Sequence, residues 1–355
     1  MTAIDPWGRR VLLLPGLAAL VVGVLGGLTR VGWNVHAPDA AVLGHGPLMV
    51  GGFFGTLIAL ERAVALGARW AFAVPLASGI GVVLTLAGAP VSGAHLFTAA
   101  AVLLTVANLV IVARQPALFT AVMAAGSAAW AVGDLRWALG APIALAVPWW
   151  LAFFVLTIAA ERLELSRLAP KPKAATPLFA VLAAATLVAT AAGSTRALGI
   201  AFLALAAWLA AWDVARRTIR LHGLPRFAAI ALFGGYAWLA VAALALTAWP
   251  LPPAGPGYDA VVHAVMVGFV FSMVFAHAPI VLPAVARIRL PFRPTFYVPL
   301  VLLHAAVLAR IVGDLAGWHE LRRAGALATA VALAVFVATV LHARLTSASA
   351  AAPRS

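Results

Sequence analysis

Residues 259–293 read DAVVHAVMVGFVFSMVFAHAPIVLPAVARIRLPFR, and this stretch decides the class of fold. It is apolar and long enough to cross a bilayer, which takes about 20 residues of helix. It nevertheless contains His263 and His277, and an ionisable side chain at membrane depth needs a partner, a ligand or a path to water. Fourteen residues of helix make nearly four turns, so the two histidines share one face, about 21 Å apart along the axis.

The composition of the whole chain predicts an all-α polytopic membrane protein. Of the 355 residues, 65% are hydrophobic and 10% are charged, in continuous apolar runs that exclude an outer-membrane barrel. The net charge of +14 comes from basic residues placed between the apolar runs, which indicates contact with the lipid bilayer and no nucleic-acid binding. Because the chain has no cysteine, disulfides, thiolate-ligated clusters and covalently attached haem are excluded.

Twelve transmembrane spans can be drawn along the chain, each about 17–25 residues long. They are residues 11–29, 45–66, 71–88, 94–113, 117–134, 146–165, 176–193, 196–213, 226–248, 259–286, 295–316 and 322–343. Most Lys and Arg residues fall at the two termini and in the even-numbered loops, which places both termini in the cytoplasm of a bacterial-type inner membrane. We expect residues 1–355 to form a single transmembrane domain, since no stretch remains for a soluble one.

Three of the even-numbered spans share a sequence pattern. Residues 54–62 read FGTLIALER and residues 154–162 read FVLTIAAER, while GFVFSMVFAH at 268–277 aligns with GFFGTLIALE at 52–61. Spans 2, 6 and 10 are therefore predicted to be equivalent helices of three four-helix units that surround a common interior. The predicted units are roughly residues 1–115, 116–215 and 216–345.

Span 2 begins with a histidine at a depth similar to that of His263. His45, in LGHGPLMVGG, and His263 each lie a few residues inside the outer boundary of a span that runs inward. Two neutral imidazoles facing each other can ligate a haem iron from both sides, and small residues such as Gly268 let a flat macrocycle approach the backbone. Alternatively, each histidine is an interfacial residue bonded to a loop carbonyl.

The residues around these histidines carry a family resemblance. HGPLM at 45–49 resembles the HG-x-x-M segment on the second helix of haem–copper oxidase catalytic subunits, and VVHAVMVGFVFSM at 261–273 is similar to their haem-binding tenth helix. Twelve spans in three four-helix units also belong to that superfamily. The closer resemblance is to the NnrS family of twelve-span haem- and copper-containing proteins associated with nitric oxide stress, whose tenth span has a similar HA-x-x-VG opening.

The resemblance implies that His45 and His263 are the axial ligands of one low-spin haem b. It implies a role in electron transfer, in redox or gas sensing, or in nitric oxide tolerance, with an electron donor or another respiratory protein as partner. Arg310, Arg322 and Arg323 are then the expected partners of the haem propionates. The alternative is that these arginines contact lipid headgroups, and that Arg310 pairs with an aspartate one helical turn later.

Departures from the oxidase pattern limit the chemistry that the resemblance implies. Val261 stands where oxidases have a second histidine, and spans 6 and 7, where the copper-binding histidines of oxidases would lie, contain no histidine at all. The residues therefore do not provide for oxidase-type oxygen reduction, and copper lacks an oxidase-type ligand set. Members of the NnrS family also tend to open span 2 with an acidic, two-histidine motif, whereas this chain has only His45 there. No catalytic residue is predicted.

A second polar level is expected in the inner half of the membrane. His277 and His304 are similarly distant from the inner ends of spans 10 and 11, and the repeat alignment puts Glu61 and Glu161 at the same level. Such a cluster can bind a metal through nitrogen and oxygen or relay protons. The alternative is a hydrogen-bonded histidine and two local ion pairs. Those pairs are Glu61 with Arg62 or Arg69, and Glu161 with Arg162 or Arg167.

Two further functions stay open on the sequence. A cofactor-free twelve-helix transporter has broken helices near the midplane, as Pro279 and Pro283 suggest, but it consists of two six-span halves rather than three units of four. A non-catalytic component of a respiratory membrane complex has an apolar face for its partner. The tetrapeptide VGDL also occurs twice, at 132–135 and 312–315, and the sequence offers no account of it.

Overall fold

The computed structural model describes residues 5–167, 169–286 and 290–350, and within these ranges the chain is helical without a strand. Eleven described helices are long and apolar enough to cross a membrane, which confirms the prediction of a polytopic all-helical protein. The helix at predicted span 7 is apolar but only 17 residues long, so the number of twelve spans stays a prediction. The terminal residues expected in the cytoplasm, 1–4 and 351–355, lie outside the described ranges.

Each predicted span coincides with one long helix, and we number these helices α1 to α12. They are α1 Pro6–Arg30, α2 His45–Leu66, α3 Arg69–Leu86, α4 Pro90–Arg114, α5 Leu118–Ala138, α6 Ile143–Leu165, α7 Ala175–Ala191, α8 Thr195–Trp212, α9 Leu224–Ala248, α10 Pro256–Pro283, α11 Pro294–Ala316 and α12 His319–Ala350. Two short helices, Asp39–Leu43 and Ala215–Thr218, lie in the connections.

Local signals explain where these helices begin and end. Asp5 caps α1, because its side chain accepts a hydrogen bond from the Gly8 N–H at 2.9 Å. Gly67 and Gly317 follow α2 and α11 with left-handed φ angles of 69° and 68°, a conformation that costs a glycine little. Capping and apolar length together set the helix boundaries, which is why the sequence placed them within a few residues.

Two helices change their hydrogen-bond register near a histidine. In α2, residues His45–Pro47 are followed by a π-helix, Leu48–Phe54. In α10, the π-helix Ala264–Phe271 directly follows His263. When Gly52 is aligned with Gly268, as the sequence pattern requires, residues 48–54 fall on 264–270. The two aligned spans therefore share a rare local conformation that often marks a functional site.

The chain forms two compact units, Met1–Glu161 and Arg162–Ser355, with about six long helices in each. In the first unit, α1 packs against the π-helix of α2, and α4 packs between α3 and α5. In the second unit, α9 packs against the π-helix of α10, and α11 pairs with α12. Each π-helix thus contacts the long helix that precedes it in the chain. The three four-helix units that the repeats predict stay a prediction.

Candidate functional site

His45 lies in the first turn of α2 and is held by α1 within the first unit. Its Nδ1 is 2.7 Å from the carbonyl oxygen of Gly23. Because a carbonyl only accepts, Nδ1 carries the hydrogen, and Nε2 is the basic nitrogen of the neutral ring. A Cβ atom at Gly27 would lie 2.8 Å from the imidazole Cε1, so the glycine makes room for the ring. Helix α1 therefore fixes both the orientation and the tautomer of His45.

His263, in the second unit, has the same tautomer through a bond within its own helix. Its Nδ1 is 2.8 Å from the carbonyl oxygen of Asp259, one turn earlier in α10. His95 in α4 makes the same kind of bond to Val91, so the bond alone does not mark a metal ligand. What distinguishes His45 and His263 is the π-helix that begins within three residues after each of them.

Two of the predicted propionate-binding arginines are compensated by carboxylates. Arg322 Nη2 donates to Asp259 Oδ2, and Arg310 Nη2 is 3.6 Å from the same oxygen. Arg322 Nε also lies 2.8 Å from Asp314 Oδ1, although not in hydrogen-bond alignment. Asp314 therefore faces Arg322 on α12, and the expected one-turn pair with Arg310 is not among the ion pairs of the described residues. The four side chains have no net formal charge.

Arg323 and Gly268 also have local contacts in the second unit. Arg323 Nη1 is 3.1 Å from Glu320 Oε1, three residues earlier in α12. A Cβ atom at Gly268 would lie 2.5 Å from Cγ of Trp238, so this glycine lets α9 pack closely on the π-helix. That packing explains the glycine without a cofactor, and cofactor contacts of Arg323 and Gly268 stay predictions.

The two VGDL tetrapeptides share one local arrangement. A Cβ atom at Gly133 would lie 3.0 Å from Cδ1 of Trp150 in α6, and one at Gly313 would overlap the backbone of Arg322 in α12. The aspartate after each glycine faces the residue that the glycine contacts. Trp150 Nε1 donates to Asp134 Oδ1 at 2.7 Å, and Asp314 faces the side chain of Arg322. The motif therefore joins α5 to α6 and α11 to α12.

In the first unit, the two glutamates of the predicted inner level meet at one arginine. Arg62 Nη2 lies 2.9 Å from Glu61 Oε1 and 2.7 Å from Glu161 Oε1. The Glu61–Arg62 pair was one of the expected local ion pairs. The pairing of Glu161 in α6 with Arg62 in α2 was not expected, because it joins residues 99 apart in the chain.

In the second unit, Arg162 lies in a buried polar network that the sequence did not predict. Its Nε and Nη2 donate to the two carboxylate oxygens of Asp213 at 2.6 and 2.7 Å. The hydroxyl of Tyr236 donates to the same carboxylate at 2.6 Å, and Arg162 Nη1 is 3.4 Å from His277 Nε2. Asp213 is the only acidic residue between positions 165 and 258, and this isolation is the signal that would have found it.

The two arginines follow the sequence repeat. Arg62 contacts Glu161, and Arg162 contacts His277. Glu61, Glu161 and His277 are the positions that the alignment treats as equivalent. Each contact therefore joins one repeat to the aligned position of the next repeat, although the threefold architecture itself stays a prediction.

His304, the remaining residue of the predicted inner level, is hydrogen-bonded to a tryptophan. Its Nδ1 accepts a hydrogen bond from Trp238 Nε1 at 2.9 Å, and Gly234 makes room for its ring, since a Cβ atom there would lie 2.6 Å from Nε2. Among the residues that the structure describes, no group of three or more histidine, aspartate or glutamate side chains is arranged to bind a metal.

Comparison with known families assigns the chain to one family. It belongs to the family described as Domain of unknown function (DUF8744), whose model matches residues 9–345 and so includes nearly all of α1 to α12. No curated protein and no solved structure matches the sequence. The resemblance to the haem–copper oxidase and NnrS families therefore rests on the residues of α2 and α10.

Proposed function

We propose that this chain is a multi-pass membrane protein that binds haem b through His45 and His263. The haem supplies a one-electron redox couple, for electron transfer, for redox or gas sensing, or for nitric oxide tolerance. One observation carries the proposal: each histidine has its tautomer set by a backbone carbonyl and closely precedes one of two aligned π-helices, His45 by three residues and His263 by one. A metal-bound histidine usually donates its other ring N–H in this way.

Asp259 links His263 to the two arginines that would bind haem propionates. Asp259 orients the imidazole through its backbone carbonyl and binds Arg322 through its side chain, so the ring and the arginine are coupled. Arg310 and Arg322 would hold the propionates of a haem, and to do so they would exchange part of their present contacts with Asp259 and Asp314. We therefore expect the arginines to tune haem affinity and the two histidines to determine whether haem binds.

An optical spectrum of the purified protein, reconstituted with haemin and recorded oxidised and dithionite-reduced, tests the proposal. We expect b-type bands in the wild type and their loss in both His45→Ala and His263→Ala. His95→Ala is the matched control, because His95 has the same carbonyl bond without a π-helix and is expected to leave the bands unchanged. A folded wild type that stays colourless contradicts haem binding.

A cofactor-free transporter is the second candidate, and the division of the chain into two compact units of about six helices favours it. The VGDL motif also occurs on the fifth helix and again six helices later, with the same local arrangement each time. The haemin titration separates the two candidates. Specific, histidine-dependent binding supports the haem protein, and uptake of a solute by vesicles containing colourless protein supports the transporter.

A further inference from the structure

A pocket of about 380 Å³ lies at the end of α8 in the second unit. Its lining includes Pro170, Trp212, Asp213, Arg216, Arg217 and Arg220. The three arginines are exposed, and they lie on or just after the short helix Ala215–Thr218. The pocket is thus strongly basic and lies where a membrane-spanning helix ends.

The base of the pocket is held in place by the buried network around Asp213. The Asp213 side chain is fully buried and accepts two hydrogen bonds from Arg162 and one from Tyr236. It also accepts from the Ala215 N–H at 2.7 Å, while Ser166 Oγ accepts from the Val214 N–H at 2.9 Å. These bonds fix the start of the short helix and compensate the one carboxylate in the pocket lining.

Within the described part of the chain, no carboxylate pairs with the three arginines of the pocket. Arg216 Nη1 donates to the Ala211 carbonyl at 2.7 Å. Arg217 and Arg220 make no hydrogen bond or ion pair with any residue that the structure describes, and their spacing of three residues makes them neighbours on a helical turn. Guanidinium groups brought together in this way repel each other unless an anion binds between them.

We propose that this pocket binds a phosphate group, either from an anionic phospholipid headgroup or from a soluble anion. The planar fork of arginine matches phosphate oxygens two at a time. Trp212, the last residue of α8, is an aromatic residue of the kind enriched at the level of the lipid headgroups. Basic pockets between membrane-spanning helices commonly bind anionic headgroups. The site does not depend on haem.

The test compares Arg217→Ala/Arg220→Ala with the wild type in neutral detergent. The control is Arg69→Ala/Arg226→Ala, which removes two exposed arginines that do not line the pocket. Native mass spectrometry measures binding of phosphatidylglycerol, phosphatidylcholine and inorganic phosphate. We expect phosphatidylglycerol to bind and phosphatidylcholine not to bind. The pocket variant should bind the anionic lipid roughly 30-fold more weakly, at about fivefold for each of the two lost arginines.

The outcomes distinguish the source of the phosphate. If millimolar inorganic phosphate displaces the bound lipid, the pocket is a site for a soluble anion. If the lipid stays bound in the presence of phosphate, the pocket is a site for a lipid headgroup. Equal lipid binding by the pocket variant and the wild type overturns the proposal, as does the failure of both anions to bind. If the alanine variant melts earlier without ligand, Arg217→Gln/Arg220→Gln keeps a polar side chain without the positive charge and gives the same comparison.

Discussion

Replacing Asp213 with asparagine should strongly destabilise the second unit. The carboxylate is fully buried and accepts four hydrogen bonds: two from Arg162, one from Tyr236 and one from the Ala215 N–H. Asparagine has the same size as aspartate but only one acceptor oxygen, so its NH2 group would face two hydrogen-bond donors. The substitution also removes the negative charge that compensates Arg162. Removing one partner of a buried ion pair costs about 3–5 kcal/mol. We expect the melting temperature in detergent to fall by roughly 5–10 °C.

The control for this measurement is Glu320→Gln. It removes the ion pair between Arg323 and Glu320, whose side chain is exposed. Exposed pairs contribute about 0–1 kcal/mol, so its melting temperature should stay close to that of the wild type. The double variant Arg162→Met/Asp213→Asn should recover part of the loss, because no uncompensated charge stays buried. If Asp213→Asn melts like Glu320→Gln, the network does not support the fold and the reasoning is refuted.

Two further substitutions test close contacts in the first unit. Trp150→Phe removes the indole donor to buried Asp134 and should cost about 1–3 kcal/mol in unfolding experiments; an unchanged unfolding free energy would show that this bond contributes nothing. Gly27→Ala puts a methyl group 2.8 Å from the His45 ring and should cost about 1–3 kcal/mol and weaken the haem spectrum. Gly257→Ala, whose added methyl group makes only ordinary contacts, should change neither quantity.

The positions of the helices could be predicted because apolar length and capping residues are local signals. The span predicted at 45–66 coincides with α2. The π-helices within α2 and α10 could not be predicted, because a shift in hydrogen-bond register leaves hydrophobic periodicity over seven or eight residues nearly unchanged. Close packing at Gly268 against Trp238 accompanies that shift, and such contacts depend on another helix.

The candidate site was predictable only where a residue type is itself unusual. His45 and His263 stand out in any apolar span, and the structure adds the carbonyl bonds that set their tautomers. Asp213 was missed because its partner Arg162 lies 51 residues earlier, and no local pattern joins two such positions. VGDL was visible as a repeat, yet its role depends on a residue of the following helix, such as Trp150.

Haem content measures the central claim most directly. The purified protein is reconstituted with haemin, excess haemin is removed, and the bound haem is extracted. The number of haem molecules per chain is then measured for the wild type, His45→Ala, His263→Ala and His95→Ala. The proposed ligation predicts one haem b per chain in the wild type and in His95→Ala, and little or none in the other two variants. A folded wild type without haem, or equal haem in all four proteins, would contradict it.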